Sequence, residues 1–496
     1  MNRAARSLMV WGTSSGAGKS WLATALCRVA RRRGMAVAPF KAQNMSNNAR
    51  VVPGWQGEAG EIGSAQYFQA LAAGVAPEVD MNPVLLKPER DTASQVVLQG
   101  RVDAALSRMP WRERSDRLAV AARESFHRLA SRHELVVIEG AGSPAEINLA
   151  EHDYVNLATA RWARDLGGLQ CVLVSDIDRG GAFAHLYGTW ALLPHDLRHS
   201  LSGFVLNKFR GDAALLAPGP QQLQELSGVP VIGTLPMRRN HGLPEEDGVF
   251  DDGASAWGEV KLRVAVVATP HISNLDEFQP LKRVPGLRLS WARTPAALEC
   301  ADWIVLPGSK QVSGDLAWLR AQGLDRAIRV HAAAGRPLLG ICGGLQMLGE
   351  HLSDPEGFDG EPHGHLPGLG LLPLGTSYGA RKKLLRTQAT FTATQGPWAA
   401  LAGVRAEGYE IHHGSTQALS ACGAVLQDGQ GEPIGWQHGP VLGVYAHGLF
   451  ESPAVLRALF GADVPSLDDA FDTLADMVEE HLDAGALDRL LGKDWT

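Results

Sequence analysis

Features that define several large classes of protein are missing from this sequence of 496 residues. No apolar run reaches the roughly 18 residues that a membrane-spanning helix requires. The apolar stretch at residues 8–11 is shorter than the roughly 7–15 residues of a signal-peptide core. The formal net charge of −7 is small and negative, which argues against a generally basic, nucleic-acid-binding surface. We therefore expect a cytoplasmic protein that has neither a membrane nor a nucleic acid among its partners.

Cysteine is also scarce. The five cysteines are widely spread, and no two form a CxxC pair. This argues against a disulfide framework and against a structural zinc site. Cys27 lies in an amphipathic helical pattern and Cys171 begins an apolar run, so both are expected to pack in the core.

What the sequence does contain is an alternation of short apolar runs with longer helical patterns, in two series. The first series has its runs at residues 7–12, 36–40, 135–140, 171–177, 203–208 and 230–236. The second has its runs at residues 262–268, 302–308, 336–342, 408–412 and 439–448. Such alternation predicts an α/β fold with mostly parallel sheets covered by helices on both faces.

The length of the chain predicts two or three domains. Between the two series, residues 238–260 are rich in glycine and acidic residues and lack periodicity, as a linker does. The predicted division is a first α/β domain at 1–237, a linker at 238–260, a second α/β domain at 261–453 and a helical segment at 454–496.

A phosphate-binding loop, GTSSGAGKS, follows the first apolar run and precedes a helical pattern. Glycines let backbone amides turn toward phosphate oxygens, and the helix N-terminus adds the positive end of its dipole. The lysine would reach the β- and γ-phosphates of a nucleotide, and the serine hydroxyl would ligate Mg²⁺. Ser14 stands where partition-type ATPases carry a signature lysine, which argues against that class. The expected phosphate contacts are Gly12, Thr13, Gly16, Gly18, Lys19 and Ser20, although Thr13 replaces the usual first glycine.

Polar residues at the ends of other predicted strands also indicate nucleotide chemistry. Glu139 lies where α/β sheets place ligands, and its carboxylate suits Mg²⁺. Asn207 is a candidate contact to the nucleotide on its adenine side. Asp176 and Asp178 are candidate metal or substrate contacts, with a helix N-cap as the alternative.

Three further polar residues are candidate contacts to phosphate or to a substrate carboxylate. Lys41 and Asn44 follow the second apolar run, and Lys87 lies in the segment MNPVLLKP. Lys41 is assigned to the nucleotide side and Asn44 to the substrate side. Simple surface solvation is the alternative for each.

The segment around Cys342 has the form of a nucleophile elbow. An apolar run leads into the cysteine, two glycines follow it, and an amphipathic helical pattern begins there. The sharp turn would project the thiol, and the helix N-terminus would favour the thiolate. Backbone amides of Gly343 and of Gly308 would hold a developing oxyanion. His447, just beyond another apolar run, is the candidate base, with His412 and His413 as rivals.

Both sites together resemble one family, the glutamine-hydrolysing cobyric acid synthases of cobalamin biosynthesis. The resemblance spans essentially the whole chain. It rests on the phosphate loop, on GICGGLQMLG around Cys342, and on PFKAQNMSNN (39–48), MNPVLLKP (81–88), EGAGSPAEINL (139–149), DIDRGGAFA (176–184), NKFRGD (207–212), LPGSKQVSGDLAWLR (306–320) and GYEIHHG (408–414).

This resemblance implies a P-loop domain of the dethiobiotin-synthetase type followed by a class I-type glutamine amidotransferase domain. It implies that ATP with Mg²⁺ and glutamine serve to amidate the b, d, e and g carboxylates of adenosylcobyrinic acid a,c-diamide. Cobalt would belong to that corrinoid substrate, and no protein ligand for it is predicted. The alternative within the same architecture is a cobyrinic acid a,c-diamide synthase or another glutamine-dependent carboxylate ligase. The oligomeric state stays open.

One departure concerns the group that orients His447. Most class I amidotransferases have a glutamate two residues after the catalytic histidine, whereas here Gly448 and Leu449 follow. The sequence therefore leaves open which group fixes the imidazole tautomer; a backbone carbonyl would serve. The missing acid also leaves open a nucleotide-switch protein with a degenerate amidotransferase domain, although the intact elbow argues against that reading.

Overall fold

The computed structural model describes residues 5–55, 57–90, 93–238, 242–243, 259–420 and 422–492. Most of the predicted linker, residues 239–241 and 244–258, lies outside the described residues. The chain forms two compact units. One contains Met1–Ser46, Val52–Asp247 and Leu467–Thr496, and the other contains Asn47–Val51 and Gly248–Ser466. Among the described helices, none is both long enough and apolar enough to cross a membrane.

The first unit is built on a parallel sheet with the strand order β12-β11-β10-β1-β9-β2. Every apolar run of the first predicted series forms one of these strands. Strands β1 and β9 are buried along their whole length, as expected for strands covered on both faces. A smaller sheet has the order β3-β6-β7-β8. The strands in chain order are β1 (Arg6–Gly12), β2 (Val37–Phe40), β3 (Gln43–Met45), β4 (Ala49–Pro53), β5 (Ala59–Gly63), β6 (Val84–Arg90), β7 (Ala93–Leu98), β8 (Arg101–Val102), β9 (Leu135–Glu139), β10 (Leu169–Asp176), β11 (Leu201–Phe209) and β12 (Val231–Pro236).

Helices between these strands cover the main sheet. The first of them, α1, buries a continuous apolar face that includes Leu22, Leu26 and Val29. The helices are α1 (Lys19–Arg32), α2 (Ser64–Ala73), α3 (Ala104–Arg108), α4 (Trp111–Ala130), α5 (Thr159–Gly167), α6 (Ala182–Leu192), α7 (His195–Arg198) and α8 (Gly219–Ser227).

The second unit has a mixed sheet with the order β15-β13-β16-β18-β25-β24-β23-β21-β19-β20, and β22 pairs with β21. Strands β15, β13, β16, β18 and β25 are parallel, and the last four correspond to four of the five predicted strands of the second series. The fifth, at residues 408–412, lies in β22, which pairs antiparallel with β21. Strands β14 and β17 form a separate antiparallel pair. The strands are β13 (Leu262–Val267), β14 (Ile272–Ser273), β15 (Leu287–Ala292), β16 (Trp303–Leu306), β17 (Gly308–Ser309), β18 (Leu338–Ile341), β19 (His351–Asp354), β20 (His363–Pro367), β21 (Leu374–Phe391), β22 (Arg405–Ala418), β23 (Gly423–Gln427), β24 (Pro433–His438) and β25 (Val441–Val444).

The helices of this unit lie between its parallel strands and after the last one. They are α9 (Pro295–Glu299), α10 (Val312–Ala321), α11 (Leu324–Ala333), α12 (Gly343–Leu348) and α13 (Pro453–Phe460). A 3-10 helical segment, Leu275–Arg283, follows β14, and a shorter one, Leu449–Glu451, precedes α13.

The last two helices, α14 (Leu467–His481) and α15 (Ala484–Leu491), belong to the first unit. The apolar face of α14, with Phe471, Leu474 and Val478, packs in the same core as α1. On the exposed side, Arg28 of α1 donates paired hydrogen bonds to Asp472 at 2.8 and 2.7 Å. The C-terminal helices therefore complete a core that they share with α1, which lies more than 400 residues earlier in the sequence.

Leu474→Ala tests whether these helices are an integral part of that core. Leu474 is fully buried, so the cavity left by truncation should lower the free energy of unfolding by about 2–5 kcal/mol. Urea unfolding followed by tryptophan fluorescence measures the change. Leu226→Ala, at a position 64% exposed on α8, is the control and should change it by less than about 0.5 kcal/mol. Equal behaviour of the two variants would contradict the assignment of α14 to the core.

Candidate active sites

The phosphate loop joins β1 to α1, which begins at Lys19. Gly16 (φ 71°) and Gly18 (φ 102°) adopt the left-handed conformation that favours glycine. A Cβ on Gly18 would lie 2.0 Å from Asn207 Nδ2, and one on Gly12 would lie 2.9 Å from Lys19 Cγ. Side chains at these glycines would therefore clash within the loop. The loop has the strand, turn and helix N-terminus that bind phosphate in other proteins.

The polar side chains of the loop are held by the neighbouring strand ends. Lys19 Nζ donates hydrogen bonds to the carbonyl oxygens of Ser14 at 2.9 Å and Gly142 at 3.0 Å. Thr13 Oγ1 donates to Ser175 Oγ at 3.0 Å. The lysine ammonium thus lies over the loop, where the phosphates of a nucleotide would bind.

Glu139, at the end of β9, is the centre of a buried polar cluster. Its Oε1 atom accepts hydrogen bonds from Ser20 Oγ at 2.7 Å and from Lys41 Nζ at 2.8 Å. Its Oε2 atom accepts from Gln69 Nε2 at 2.5 Å and from Gln66 Nε2 at 3.3 Å. The structure thus brings together three residues that the sequence singled out separately.

Ser20 and Glu139 fit a magnesium ion bound with a nucleotide. Both offer hard oxygen donors, and these lie 2.7 Å apart beside the phosphate loop. Mg²⁺ is commonly held by one or two protein oxygens, with phosphate and water oxygens supplying the rest. Within the described ranges, no group of three or more His, Cys, Asp or Glu side chains is arranged to hold a metal ion by itself.

Sequence reasoning missed Gln66 and Gln69. Both are fully buried on α2 and lie three residues apart, so they share one face of that helix. Two amides at helical spacing on a buried face were the signal that could have found them. Asn44 is buried next to them and donates to Gln66 Oε1 at 3.2 Å. Lys87 forms a buried ion pair with Glu61 instead.

Asn207 and Lys208 lie beside the phosphate loop. Asn207 Nδ2 donates to the Ala17 carbonyl at 2.9 Å, so its amide supports the loop backbone. Lys208, with φ 60°, donates from Nζ to the Gly16 carbonyl at 2.8 Å and to Asp176 Oδ2 at 3.1 Å. Asn207 therefore contacts the loop directly, whereas the sequence suggested the adenine side.

The two candidate aspartates after β10 are paired with cations. Asp176 lies 3.4 Å from Arg179 Nε and accepts a hydrogen bond from the Asp178 amide at 3.0 Å. Asp178 is paired with Arg210. Neither caps the following helix, because the N-cap of α6 is Gly181. No described contact joins these aspartates to the Ser20–Glu139 pair.

In the second unit, Cys342 forms the predicted elbow between β18 and α12. Its backbone has φ 51° and ψ −104°, a strained conformation for a residue with a side chain. The amide of Cys342 donates to the Val444 carbonyl at 2.7 Å, which holds the turn against β25. A Cβ on Gly344 would lie 2.0 Å from the Leu306 carbonyl oxygen, so the close approach of α12 requires glycine there.

His447 is buried beyond β25, and its ring is oriented by a carboxylate. Its Nδ1 atom hydrogen-bonds to Glu277 Oε1 at 3.0 Å, and the Gly448 amide donates to Glu277 Oε2 at 3.1 Å. The group that fixes the tautomer, which the sequence left open, is thus a carboxylate and not a backbone carbonyl. Glu277 lies 170 residues before His447, on the 3-10 segment Leu275–Arg283. Sequence spacing could not reveal it, although an Asp–Glu pair shortly after a buried strand was a usable signal.

The charges around His447 favour its protonated form. Burial opposes the imidazolium, but the Glu277 carboxylate and the charge and hydrogen bonding of Cys342 outweigh it and raise the pKa of His447 to about 10. Nδ1 is held by Glu277, so Nε2 is the atom available for proton transfer with the thiol.

Gly308 and Gly343 border this centre. A Cβ on Gly308 would lie 2.9 Å from His447 Cε1, and one on Gly343 would lie 2.7 Å from the Ser309 amide nitrogen. The elbow and strand β17 thus approach each other closely beside the imidazole. Their backbone amides remain the candidate oxyanion donors.

The rival histidines are engaged elsewhere. His412 hydrogen-bonds through one ring nitrogen to the Gly414 carbonyl and through the other to Glu410 Oε2, at 2.7 and 3.1 Å. Its ring stacks on Tyr445 with a centroid distance of 3.9 Å. His413 Nδ1 lies 3.3 Å from the Gly379 carbonyl. Of the three candidates, His447 is the one whose geometry suits a base for Cys342.

Comparison with known proteins extends over the whole chain. Residues 8–248 match the model of a CobQ/CobB/MinD/ParA nucleotide binding domain, and residues 263–455 match that of a CobB/CobQ-like glutamine amidotransferase domain. A protein named cobyric acid synthase from Methylibium petroleiphilum is 61% identical over 505 residues, which cover 99% of this chain and 98% of that protein. Another of that name from Variovorax paradoxus is 62% identical over 491 residues, which cover 98% and 99%.

These findings bear out the α/β fold with a nucleotide-binding half and a glutamine amidotransferase half. They do not favour the diamide synthase alternative, since the full-length relatives carry the other name. With its phosphate loop and its Cys342 elbow in one polypeptide, this chain belongs to the cobyric acid synthase family.

Proposed function

We propose that this protein uses ATP and glutamine to amidate the b, d, e and g carboxylates of adenosylcobyrinic acid a,c-diamide, giving adenosylcobyric acid. The observation that carries the proposal is the Cys342, His447 and Glu277 constellation in a chain that also holds a complete phosphate loop. One site releases ammonia and the other activates a carboxylate. Full-length similarity to the named relatives supports the corrinoid as acceptor.

Glutamine hydrolysis would begin with attack of the Cys342 thiolate on the side-chain amide carbon. His447, which holds the proton taken from the thiol, donates it to the amide nitrogen; the C–N bond breaks, ammonia leaves, and a glutamyl thioester remains. Water then attacks the thioester and gives a proton to His447; the C–S bond breaks, glutamate leaves, and Cys342 is again a thiolate beside a protonated His447. The amides near Gly308 and Gly343 would hold the oxyanion in both steps. Glu277 keeps the imidazole in place and stabilises its charge throughout.

Amidation at the other site needs an activated acceptor, because ammonia cannot expel oxide from a carboxylate. A corrin carboxylate oxygen attacks the γ-phosphorus of ATP, ADP leaves, and an acyl phosphate forms. Ammonia then attacks the acyl carbon, a proton is lost, and phosphate leaves. Lys19 and the loop amides neutralise the phosphate charge.

The cation that accompanies ATP in this proposal is Mg²⁺, held by Ser20 and Glu139, and it supplies charge neutralisation at the phosphates. Lys41, whose Nζ donates to the same carboxylate at 2.8 Å, is the further cation that we assign to the phosphates. Asn44 is assigned to the substrate side. Cobalt belongs to the corrinoid and needs no ligand from this chain.

Cys342→Ala separates the two proposed sites. Loss of the nucleophile should reduce glutamine-dependent amidation by about 10⁴-fold or more, whereas ammonium-dependent amidation should stay within a few-fold of the unchanged protein. Product masses, measured with adenosylated a,c-diamide, ATP and Mg²⁺, show each added amide group. Cys422→Ala is the control, because that cysteine is only partly buried and lies outside the elbow. If Cys422→Ala leaves the mass of the corrinoid substrate unchanged with glutamine and also with ammonium, the corrinoid assignment is refuted.

Glu277→Gln tests the orienting carboxylate. The amide keeps the size of the side chain but loses the charge that raises the pKa of His447, so that pKa should fall from about 10. We expect kcat/KM for glutamine hydrolysis to fall about 10²–10⁴-fold, and the pH limb that reports His447 to move to lower pH. A coupled glutamate assay across pH measures both. The exposed Glu299→Gln is the matched control, and a normal rate in Glu277→Gln would remove Glu277 from the centre.

A further inference from the structure

The glutaminase centre contains a stretch of the N-terminal part of the sequence. Residues Asn47–Val51 come directly after β3, yet they belong to the second compact unit. Asn48 Oδ1 accepts a hydrogen bond from the Leu275 amide at 2.9 Å, and the Ala49 amide donates to Asn274 Oδ1 at 3.0 Å. These reciprocal bonds attach the stretch to the start of the 3-10 segment that carries Glu277.

Arg50 is the charged residue of this stretch, and it is 2% exposed. Its guanidinium pairs with the Asp276 carboxylate and lies 2.6 Å from Glu451 Oε1. It also lies over the Tyr409 ring, 4.9 Å from the centroid. Tyr409 in turn stacks on the His447 ring, with centroids 5.3 Å apart and planes 20° apart. Arg50 therefore contacts Tyr409, which stacks on the catalytic imidazole, and Asp276, the residue that precedes Glu277 in the sequence.

Arg50 supplies positive charge to a group of buried carboxylates near His447. The carboxylates of Asp276, Glu277 and Glu451 surround the centre, and Asp276 and Glu277 are completely or almost completely buried. Buried carboxylates need nearby cations, because desolvation disfavours their charged form. Arg50 and the protonated His447 are two cations in direct contact with them. Without Arg50, the carboxylates would draw more strongly on the imidazolium.

We propose that Arg50 is a positioning residue of the glutaminase centre: it holds Asp276, Glu451 and Tyr409, and its positive charge offsets the buried carboxylates beside His447. The role rests on the proposed glutamine hydrolysis. The part of the chain that matches the amidotransferase model, residues 263–455, does not include Arg50. The N-terminal half of the sequence thus supplies a residue that the amidotransferase half uses.

The test uses Arg50→Met in the full-length protein, which removes the charge but keeps an unbranched apolar stem. The first measurement is the pH dependence of Cys342 alkylation by iodoacetamide, followed on the Cys342 peptide by mass spectrometry, because it needs no substrate. Loss of the cation leaves a more negative centre, so the midpoint should move to higher pH by about 1 unit. The second measurement is kcat/KM for glutamine hydrolysis, which should fall about 10–100-fold. In its pH profile, the limb that reports protonation of His447 should also move to higher pH.

Further variants separate the effect of the Arg50 charge from other effects. Arg50→Lys retains the charge and should keep the alkylation midpoint near that of the unchanged protein, even if the rate falls. Glu451 could take up the proton in place of His447, since burial already raises its pKa and Arg50 opposes that rise. We therefore also compare the alkylation midpoint of the single variant Glu451→Gln with that of the double variant Glu451→Gln/Arg50→Met, because neither can take up a proton at residue 451. Arg457→Met, which removes an exposed arginine paired with Asp463, is the control.

A shifted midpoint in Arg50→Met, restored in Arg50→Lys, supports the proposal. An unmoved midpoint in both backgrounds overturns it, and so does a shift that Arg457→Met reproduces. A merely structural role would lower the rate without moving the midpoint. If the unchanged protein alkylates normally but hydrolyses no glutamine, the proposed function fails, while the alkylation profiles still decide the role of Arg50.

Discussion

The buried contact between Glu277 and His447 is the interaction on which the thiol centre depends. An ionised carboxylate without water is costly unless charge and hydrogen bonds compensate it. Here the imidazole and the Gly448 amide bind its two oxygens, so neither the ring nor the turn after β25 can rotate freely. The same contact fixes which ring nitrogen faces the thiol. A nucleophile elbow without it would present a cysteine but no oriented base.

A similar solution appears at the phosphate loop. Glu139 is completely buried, and a lysine, a serine and two glutamines satisfy its oxygens. In both units the reactive turn joins a buried parallel strand to a helix N-terminus, where backbone amides and the helix dipole favour negative charge. Glycines allow this turn because neighbouring atoms lie too close for a Cβ, as at Gly18 and Gly344. The chemistry differs between the sites, whereas the backbone arrangement is shared.

Elements that are buried on both faces could be predicted well. The apolar runs at residues 135–140 and 171–177 became β9 and β10, because a strand covered by helices must be apolar along its length. The long antiparallel strands β21 and β22 were harder to predict, since they alternate half-exposed and polar residues and present no apolar run. Of these, the sequence indicated only the part near residues 408–412. The partners Gln66, Gln69 and Glu277 were missed because each is an ordinary polar residue until its neighbour in space is known.

The sequence by itself determined the two α/β units, the phosphate loop, the cysteine elbow and His447, because local spacing and turn chemistry carry those signals. Only the tertiary structure decided which acid contacts His447, that α14 and α15 pack with α1, and that Arg50 lies against Asp276, Glu451 and Tyr409. These contacts join residues separated by about 170 to more than 400 positions. They arise because a buried charge needs an oppositely charged or hydrogen-bonding partner and an apolar face must be covered. The sequence shows each need but not which distant residue meets it.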